Sequence, residues 1–442
     1  MRQQTSKQKS SIQSPPSSPS LPAGAARLWH AGALAYLASA SLVWAVLLAL
    51  WLGGQGGRDR SGDVLGPDFP AFYTAGWMLR HGEAARLYDF ERQKEVQRSL
   101  GLSPRLSPSH GVSAFINPPH YALLMAPLSA LSYRAAFATW SALMLGCFVA
   151  SLLLLRSLLP TLQDRSGWLP LALAFFFMPV YFAFSAGQNT GLSLLLHSGI
   201  VVALARRRDA LAGALIAVGL LKPQLFLGLL PLLLIARRPR ALLSFAVGAA
   251  LTGGLTFWVL GSASLAQWWD ATRSPTYKMN IAQQAPKMFE WHAFWQLLLG
   301  ENSVASALGW TFALLVFAAL CALWRRARND DMDEMAVCYA VTVGGTVVMV
   351  PHLFVYDLAL LVLPGLVIAA RLRQQEFVSR RALPGPQPGL HLGLRVLLPL
   401  IYVGAIFWEQ AQQTRVQLLV PLLTLALLPA CQLIKPRPVE IS

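Results

Sequence analysis

Long apolar runs joined by short basic links make up almost the whole of this chain. The first, Ala31 to Leu52, holds 22 residues without a charge, enough at about 1.5 Å per residue to cross a hydrocarbon core about 30 Å thick. It follows a Ser-, Gln- and Pro-rich stretch, 1–26, that has no periodicity and is expected to be a disordered cytoplasmic tail. Bulky Leu50, Trp51 and Leu52 at its end mark a spanning helix, where a cleaved signal would end in small residues. Further helices are expected at about 134–156, 168–186, 190–205, 241–261, 304–324, 335–351, 356–370, 391–408 and 416–434. The apolar run 210–236 lies between Arg206–Arg208 and Arg237, Arg238 and Arg240, and is interrupted by Lys222 and Pro223, so it reads as two short helices meeting there.

Segment 117–132 is apolar but short and broken by Pro118, Pro119 and Pro127. The positive-inside rule places both arginine clusters in the cytoplasm, which requires an odd number of crossings between Asn117 and Arg206. Three good helices supply that number if 117–132 only dips into the membrane from outside, shielded by protein. The result is an all-α polytopic protein with about 12 transmembrane segments and both termini cytoplasmic. One integral domain, 27–434, carries outer loops at 54–116 and 262–303, and a short cytoplasmic tail, 435–442, ends the chain. In the first loop Phe69, Phe72, Tyr73, Ala75, Trp77, Met78 and Leu79 recur at roughly helical spacing, which predicts a short amphipathic helix at the membrane surface.

Composition supports that picture and removes alternatives. With 55% hydrophobic and 13% charged residues and a mean hydropathy of +0.49, the chain is too apolar for a soluble enzyme, in which charged residues approach about a quarter. The alternating strands of a β-barrel would not produce unbroken apolar runs. The net charge of +16 comes from 36 basic against 20 acidic residues, but the basic groups sit at the ends of apolar runs, so they report topology and no nucleic-acid partner. Cys147, Cys321, Cys338 and Cys431 lie in or beside apolar segments without CxxC spacing, which argues for packing residues and against a disulfide framework or a zinc site.

The polar residues that remain converge on the outer side. Asp68, at the start of the aromatic helix, reads either as its N-cap or as a general base whose pKa rises with partial desolvation; Asp63 and Asp89 are rivals in the same loop. Lys222, inside an apolar run, is a functional residue by default, because a charge there is costly unless paired or wet. A lipid phosphate is its obvious anionic partner. The turn SAGQNTG offers Ser185, Gln188 and Asn189, and PHLFVYDL offers His352, Tyr356 and Asp357. Asn117, His120 and Arg134 flank the proline-rich segment. Trp268, Trp269, Trp291 and Trp295 read as an interfacial belt before sugar-stacking platforms.

The order and spacing of five segments then become informative. DFPAFYTAGWMLRHGEAARLYD, NPPHYALLMAPLSAL, GQNTGLSLLL, LAGALIAVGLLKPQLFLGLLPLLLIARRPR and PHLFVYDLALLVLP together resemble the membrane enzymes of glycosyltransferase family 87 over roughly residues 30–370. The resemblance implies a GT-C fold and an inverting transferase that takes a sugar, mannose by family analogy, from a polyprenyl phosphate at the outer face of the cell membrane. It places the catalytic base at Asp68 and contacts to the donor phosphate or sugar at Lys222 and His352. Asn117, Arg134, Gln188, Asn189, Tyr356 and Asp357 are further pocket candidates. No cofactor is expected, and DFPAF in place of a DxD pair argues against an obligatory metal. The partners implied are a polyprenyl-phosphate-linked sugar, membrane lipids, and a glycolipid, polysaccharide or protein acceptor. A transporter or flippase for a lipid-linked or amphipathic solute is the alternative, since broken helices with a buried charge also mark transport paths. A noncatalytic subunit of an envelope complex is a third reading.

Overall fold

The computed structural model describes residues 23–103, 112–164, 167–282, 284–327, 331–379, 388–405 and 408–434. The expected tails 1–22 and 435–442 lie outside these residues, as do the basic residues Arg328, Arg380, Arg381, Lys435 and Arg437. The first helix is already under way at Ala23, inside the stretch read from sequence as tail.

Six helices among the described residues are long and apolar enough to cross a membrane: His30–Gly53, Tyr133–Leu158, Pro239–Leu260, Ser303–Arg326, Met332–Met349 and Val355–Gln375. The pair Trp168–Phe175 and Met178–Ala186, bent by 41°, makes a seventh if it is one span. Pro179 sits in the first turn of the second member, where the lack of an N–H and a fixed φ are tolerated but continuation of the preceding helix is not. Thr190–Ala205, Asp209–Leu221, Pro223–Ile235, Gly393–Gly404 and Leu419–Cys431 are apolar but shorter. The described chain therefore supplies six or seven full-length spans, and the expected count of about twelve includes these shorter elements.

Burial sorts the spans into centre and periphery. Met332–Met349 is 89% buried over its most apolar window, whereas His30–Gly53 and Pro239–Leu260 are each 6% buried and turn their side chains outward. In lipid, helices associate through close packing and interhelical hydrogen bonds. Both occur here: Trp324 Nε1 donates to Thr342 Oγ1 at 2.8 Å, and His197 Nδ1 lies 2.8 Å from the Tyr339 hydroxyl.

The first-loop helix forms over Phe69–Arg80, but nine of its 12 residues are buried, so it packs inside the protein and does not lie on a lipid surface. Its aromatic residues share one face, but Thr74 and Met78 on the rest of its surface are buried too, so protein covers it on more than the aromatic side. Phe72 meets Tyr121 with ring centroids 5.0 Å apart, Tyr73 meets Tyr133 at 5.2 Å, and Phe69 meets Phe137 at 5.5 Å. The proline-rich segment contributes a helix over Pro119–Met125, 7 residues long, which at about 1.5 Å per residue is far too short to span a membrane. It lies so close to the first-loop helix that a Cβ on Gly76 would sit 2.5 Å from the Met125 carbonyl oxygen.

Candidate active site

Asp68 occupies the N-cap position of the first-loop helix, but its backbone is in the helical region (φ −97°, ψ −18°) and its carboxylate makes no capping bond. A capping side chain normally comes from an extended residue. The carboxylate instead accepts a hydrogen bond from Gln188 Nε2 at Oδ2, 2.7 Å away. The Met178–Ala186 helix ends in left-handed Gly187 (φ 75°), which turns the chain so that Gln188 follows immediately. The backbone N–H of Asp68 donates to Ala186 at 3.0 Å, so the two segments are joined twice. Burial pushes the Asp68 carboxyl above the ordinary aspartate range, against the opposing effects of the Gln188 bond and the charges of Lys287 and Lys222.

Lys222 stands at the break between two short helices, in an extended conformation (φ −142°, ψ 69°). Its ammonium lies 2.5 Å from Asp357 Oδ1, with side-chain exposures of 10% and 1%, and 5.3 Å above the Tyr356 ring. The pairing answers the sequence-level question of how an apolar run carries a charge: Asp357 lies in a buried 3-10 segment, Val355–Leu361. Thr190 Oγ1 donates to the same Asp357 oxygen at 3.4 Å. Gln188 and Thr190, two residues apart, therefore link the Asp68 carboxylate to the Lys222–Asp357 pair. Between them Asn189 faces the Tyr121 hydroxyl.

A third side is built by the second outer loop. Glu290 caps the Trp291–Leu299 helix, accepting from His292 N at 2.6 Å and Ala293 N at 2.9 Å, and also accepts from the backbone N–H of His352. His352 is left-handed (φ 64°), a conformation that costs a non-glycine residue energy and needs such support. Burial pushes the His352 imidazole down to about 4, aided by nearby His292, so the ring is neutral near pH 7; it meets Tyr277 edge-on at 6.1 Å. Burial lifts the Glu290 carboxyl to about 7 against its three backbone hydrogen bonds. One residue chain-ward of this cap, Phe289 N donates to the Leu353 carbonyl at 2.8 Å and Met288 bridges to Phe354.

The fold thus gathers Asp68, Gln188, Asn189, Lys222, His352, Tyr356 and Asp357 from the sequence candidates. Two others are engaged elsewhere. Arg134 donates to the carbonyls of Trp51, Gly56 and Arg58 at 2.6, 3.0 and 2.7 Å, closing the end of the first helix. The backbone carbonyl of Asn117 accepts from the Tyr88 hydroxyl at 2.7 Å. Of the rival carboxylates, Asp89 caps the Phe90–Ser99 helix and Asp63 belongs to a turn with Asp59 and Ser61. Trp291 is buried, its Nε1 donating to Thr424 Oγ1 at 3.1 Å, while Trp269 is exposed and stacks under Arg273 at 3.9 Å. All four cysteines are free thiols. Thr190, Lys287 and Glu290 were not singled out by sequence, because nothing local distinguishes them from other polar residues of turns and outer loops.

The sequence profile of glycosyltransferase family 87 matches residues 115–351 of this chain, more than half of it. The chain belongs to glycosyltransferase family 87. Among curated proteins no match is found, and no solved structure matches. Family membership makes it a multi-pass membrane glycosyltransferase, acting on a sugar donor and an acceptor, and decides against the transporter alternative. The matched span contains Gln188, Asn189, Lys222 and Lys287 and stops just before His352, while Asp68 precedes it and Asp357 follows it. The Asp68–Gln188 bond and the Lys222–Asp357 pair are what attach the residues outside the span to the family core.

Proposed function

We propose that this glycosyltransferase transfers a sugar, with mannose the first candidate, from a polyprenyl-phosphate donor to an acceptor hydroxyl at the outer face of the cell membrane, inverting the anomeric centre. The observation that carries the reading is the Asp68 carboxylate, released from helix capping and held by Gln188 beside a buried cation. A carboxylate whose pKa is raised by burial is suited to take a proton near neutral pH. In the reaction Asp68 accepts the proton of the acceptor hydroxyl as that oxygen bonds to the anomeric carbon. The carbon–oxygen bond to phosphate breaks on the opposite face through an oxocarbenium-like transition state, and the electron pair leaves with polyprenyl phosphate, which gains one negative charge.

Lys222 carries three N–H donors; Asp357 engages one, leaving others for phosphate oxygens that become more negative in the transition state. Neutral His352 offers a ring N–H to a phosphate or sugar oxygen, and Asn189 and Tyr356 line the same region. The prenyl chain has an apolar cavity of about 680 Å³, walled by Tyr36, Phe177, Leu361, Val362, Tyr402 and Leu423. Of its walls, Leu361 and Val362 follow Asp357 by about one helical turn, which supports the reading.

The test is sugar transfer from a panel of radiolabelled polyprenyl-phosphate monosaccharides by the protein in lipid nanodiscs, beside Asp68→Asn, with a membrane extract as acceptor source. Transfer by the wild type and not by the folded variant is expected. No transfer from any donor by folded wild type would sink the reading.

A further inference from the structure

The pairing of Lys222 with Asp357 raises a charge problem. A sugar phosphodiester carries one negative charge and the departing polyprenyl monophosphate carries up to two, yet the nearest buried cation is already neutralised by a carboxylate 2.5 Å away. An uncompensated leaving-group charge in a site of low dielectric is costly. A second cation without a carboxylate of its own resolves this.

We propose that Lys287 binds the phosphate group of the lipid-linked donor, as the uncompensated cation opposite the Lys222–Asp357 pair. The assignment rests on the polyprenyl-phosphate reading of the site. Lys287 ends the 3-10 turn Ala285–Lys287, half-buried, and among the described residues its ammonium forms no ion pair or hydrogen bond. Its charge acts on Asp68 more strongly than that of Lys222. The backbone carrying it is held on two sides. Gln417 Nε2, buried, donates to the carbonyls of Pro286 and Met288 at 3.3 and 3.1 Å, straddling the lysine. On the other side, Met288 bridges to Phe354 and Phe289 N donates to Leu353. Phe354 stacks on Tyr356 at 5.4 Å, and Tyr356 lies under the Lys222 ammonium. An exposed loop lysine has no need of such a clamp. A cation that must meet a phosphate in one place does, because an immobilised side-chain anchor lowers the entropy lost on binding.

The experiment compares wild type, Lys287→Met and Lys287→Arg in nanodiscs by two readouts: binding of polyprenyl monophosphate alone, and transfer from the donor panel across pH. A charge-assisted hydrogen bond to phosphate predicts binding about ten- to a hundredfold weaker in Lys287→Met, with Lys287→Arg within a few-fold of wild type. Where transfer occurs, the acid limb of the Lys287→Met rate profile moves to higher pH, because the charge favouring the Asp68 carboxylate is gone. Equal binding of polyprenyl monophosphate by wild type and Lys287→Met overturns the assignment. Absence of binding by folded wild type overturns it together with the donor reading. Lys287-dependent binding without transfer from any donor supports the phosphate site and overturns the transfer reading alone.

Discussion

Asp68 and Gln188, 120 positions apart in the chain, share a hydrogen bond of 2.7 Å in which the amide donates to the carboxylate. The bond decides what Asp68 does. An N-cap would hold its carboxylate against the helix amides; here a neutral donor orients it and leaves lone pairs for a proton. Asp68→Asn is expected to lower kcat by about a hundred- to ten-thousandfold, the usual contribution of a general base. Gln188→Leu keeps the base but removes a bond that favours its ionised form, so activity should survive at high pH and fall near neutrality. Rates measured for both variants across pH check this, and an unshifted profile for Gln188→Leu would count against the assignment.

The wild-type pH profile itself has a defined direction. As the proposed base Asp68 would work only when ionised, and burial raises its pKa, so turnover should climb with pH through a region above that in which an ordinary aspartate titrates, about 3.9. A rate independent of pH from 4 to 8 in a protein shown to be folded would exclude Asp68 as the base.

Lys222 and Asp357 form a buried ion pair, with side-chain exposures of 10% and 1%. Lys222→Met or Asp357→Leu alone strands a buried charge and is expected to cost about 3–5 kcal/mol of stability. The double substitution should regain much of that loss and none of the activity. Thermal unfolding in detergent and transfer assays on all three variants separate the two effects.

His352 couples backbone strain to titration. Its imidazole is pushed down to about 4 in the fold, against about 6.5 in an unfolded chain. The unfolded state therefore binds the proton first, and this residue's contribution to stability is lost as pH falls from about 6.5 to about 4. His352→Asn, which tolerates the left-handed backbone, should flatten that slope and keep the fold. His352→Val should destabilise at every pH, since a β-branched residue resists φ 64°. Unfolding curves at several pH values distinguish the two.

Gly76 sets the distance between the first-loop helix and the proline-rich segment. Gly76→Val brings side-chain atoms against the Met125 carbonyl and is expected to cost about 1–3 kcal/mol by overpacking. Because the same helix begins at Asp68, activity should fall further than stability accounts for, as comparison of transfer rate with unfolding temperature will show.

Much of the scaffold is legible in the chain itself. Apolar length predicts the spans because hydrocarbon admits only backbone that bonds to itself, and Pro223 beside Lys222 predicts the break because neither residue continues an apolar helix. Family resemblance could be read from the order of five segments, and the profile match over 115–351 bears it out. The surface position expected for the 69–80 helix is different: spacing shows that a helix is amphipathic or apolar, and only its neighbours Tyr121, Tyr133 and Phe137 show that the apolar residues are covered by protein.

For the candidate site, sequence marks which residue types are out of place, and tertiary structure decides how they are paired. Lys222 is conspicuous in an apolar run, but its partner Asp357 is 135 positions away. Asp68 stands visibly at a helix start, yet its freedom from capping depends on Gln188. Lys287 carries no local mark at all; it is set apart only because Gln417 and the 353–354 segment hold its loop beside the charged pair. The division has one physical cause. Membrane insertion and helix formation are governed by free energies summed over neighbouring residues, so the sequence by itself determined the spans and their break. Charge compensation and hydrogen bonding depend on distances between residues far apart in the chain, and those were set only when the helices packed.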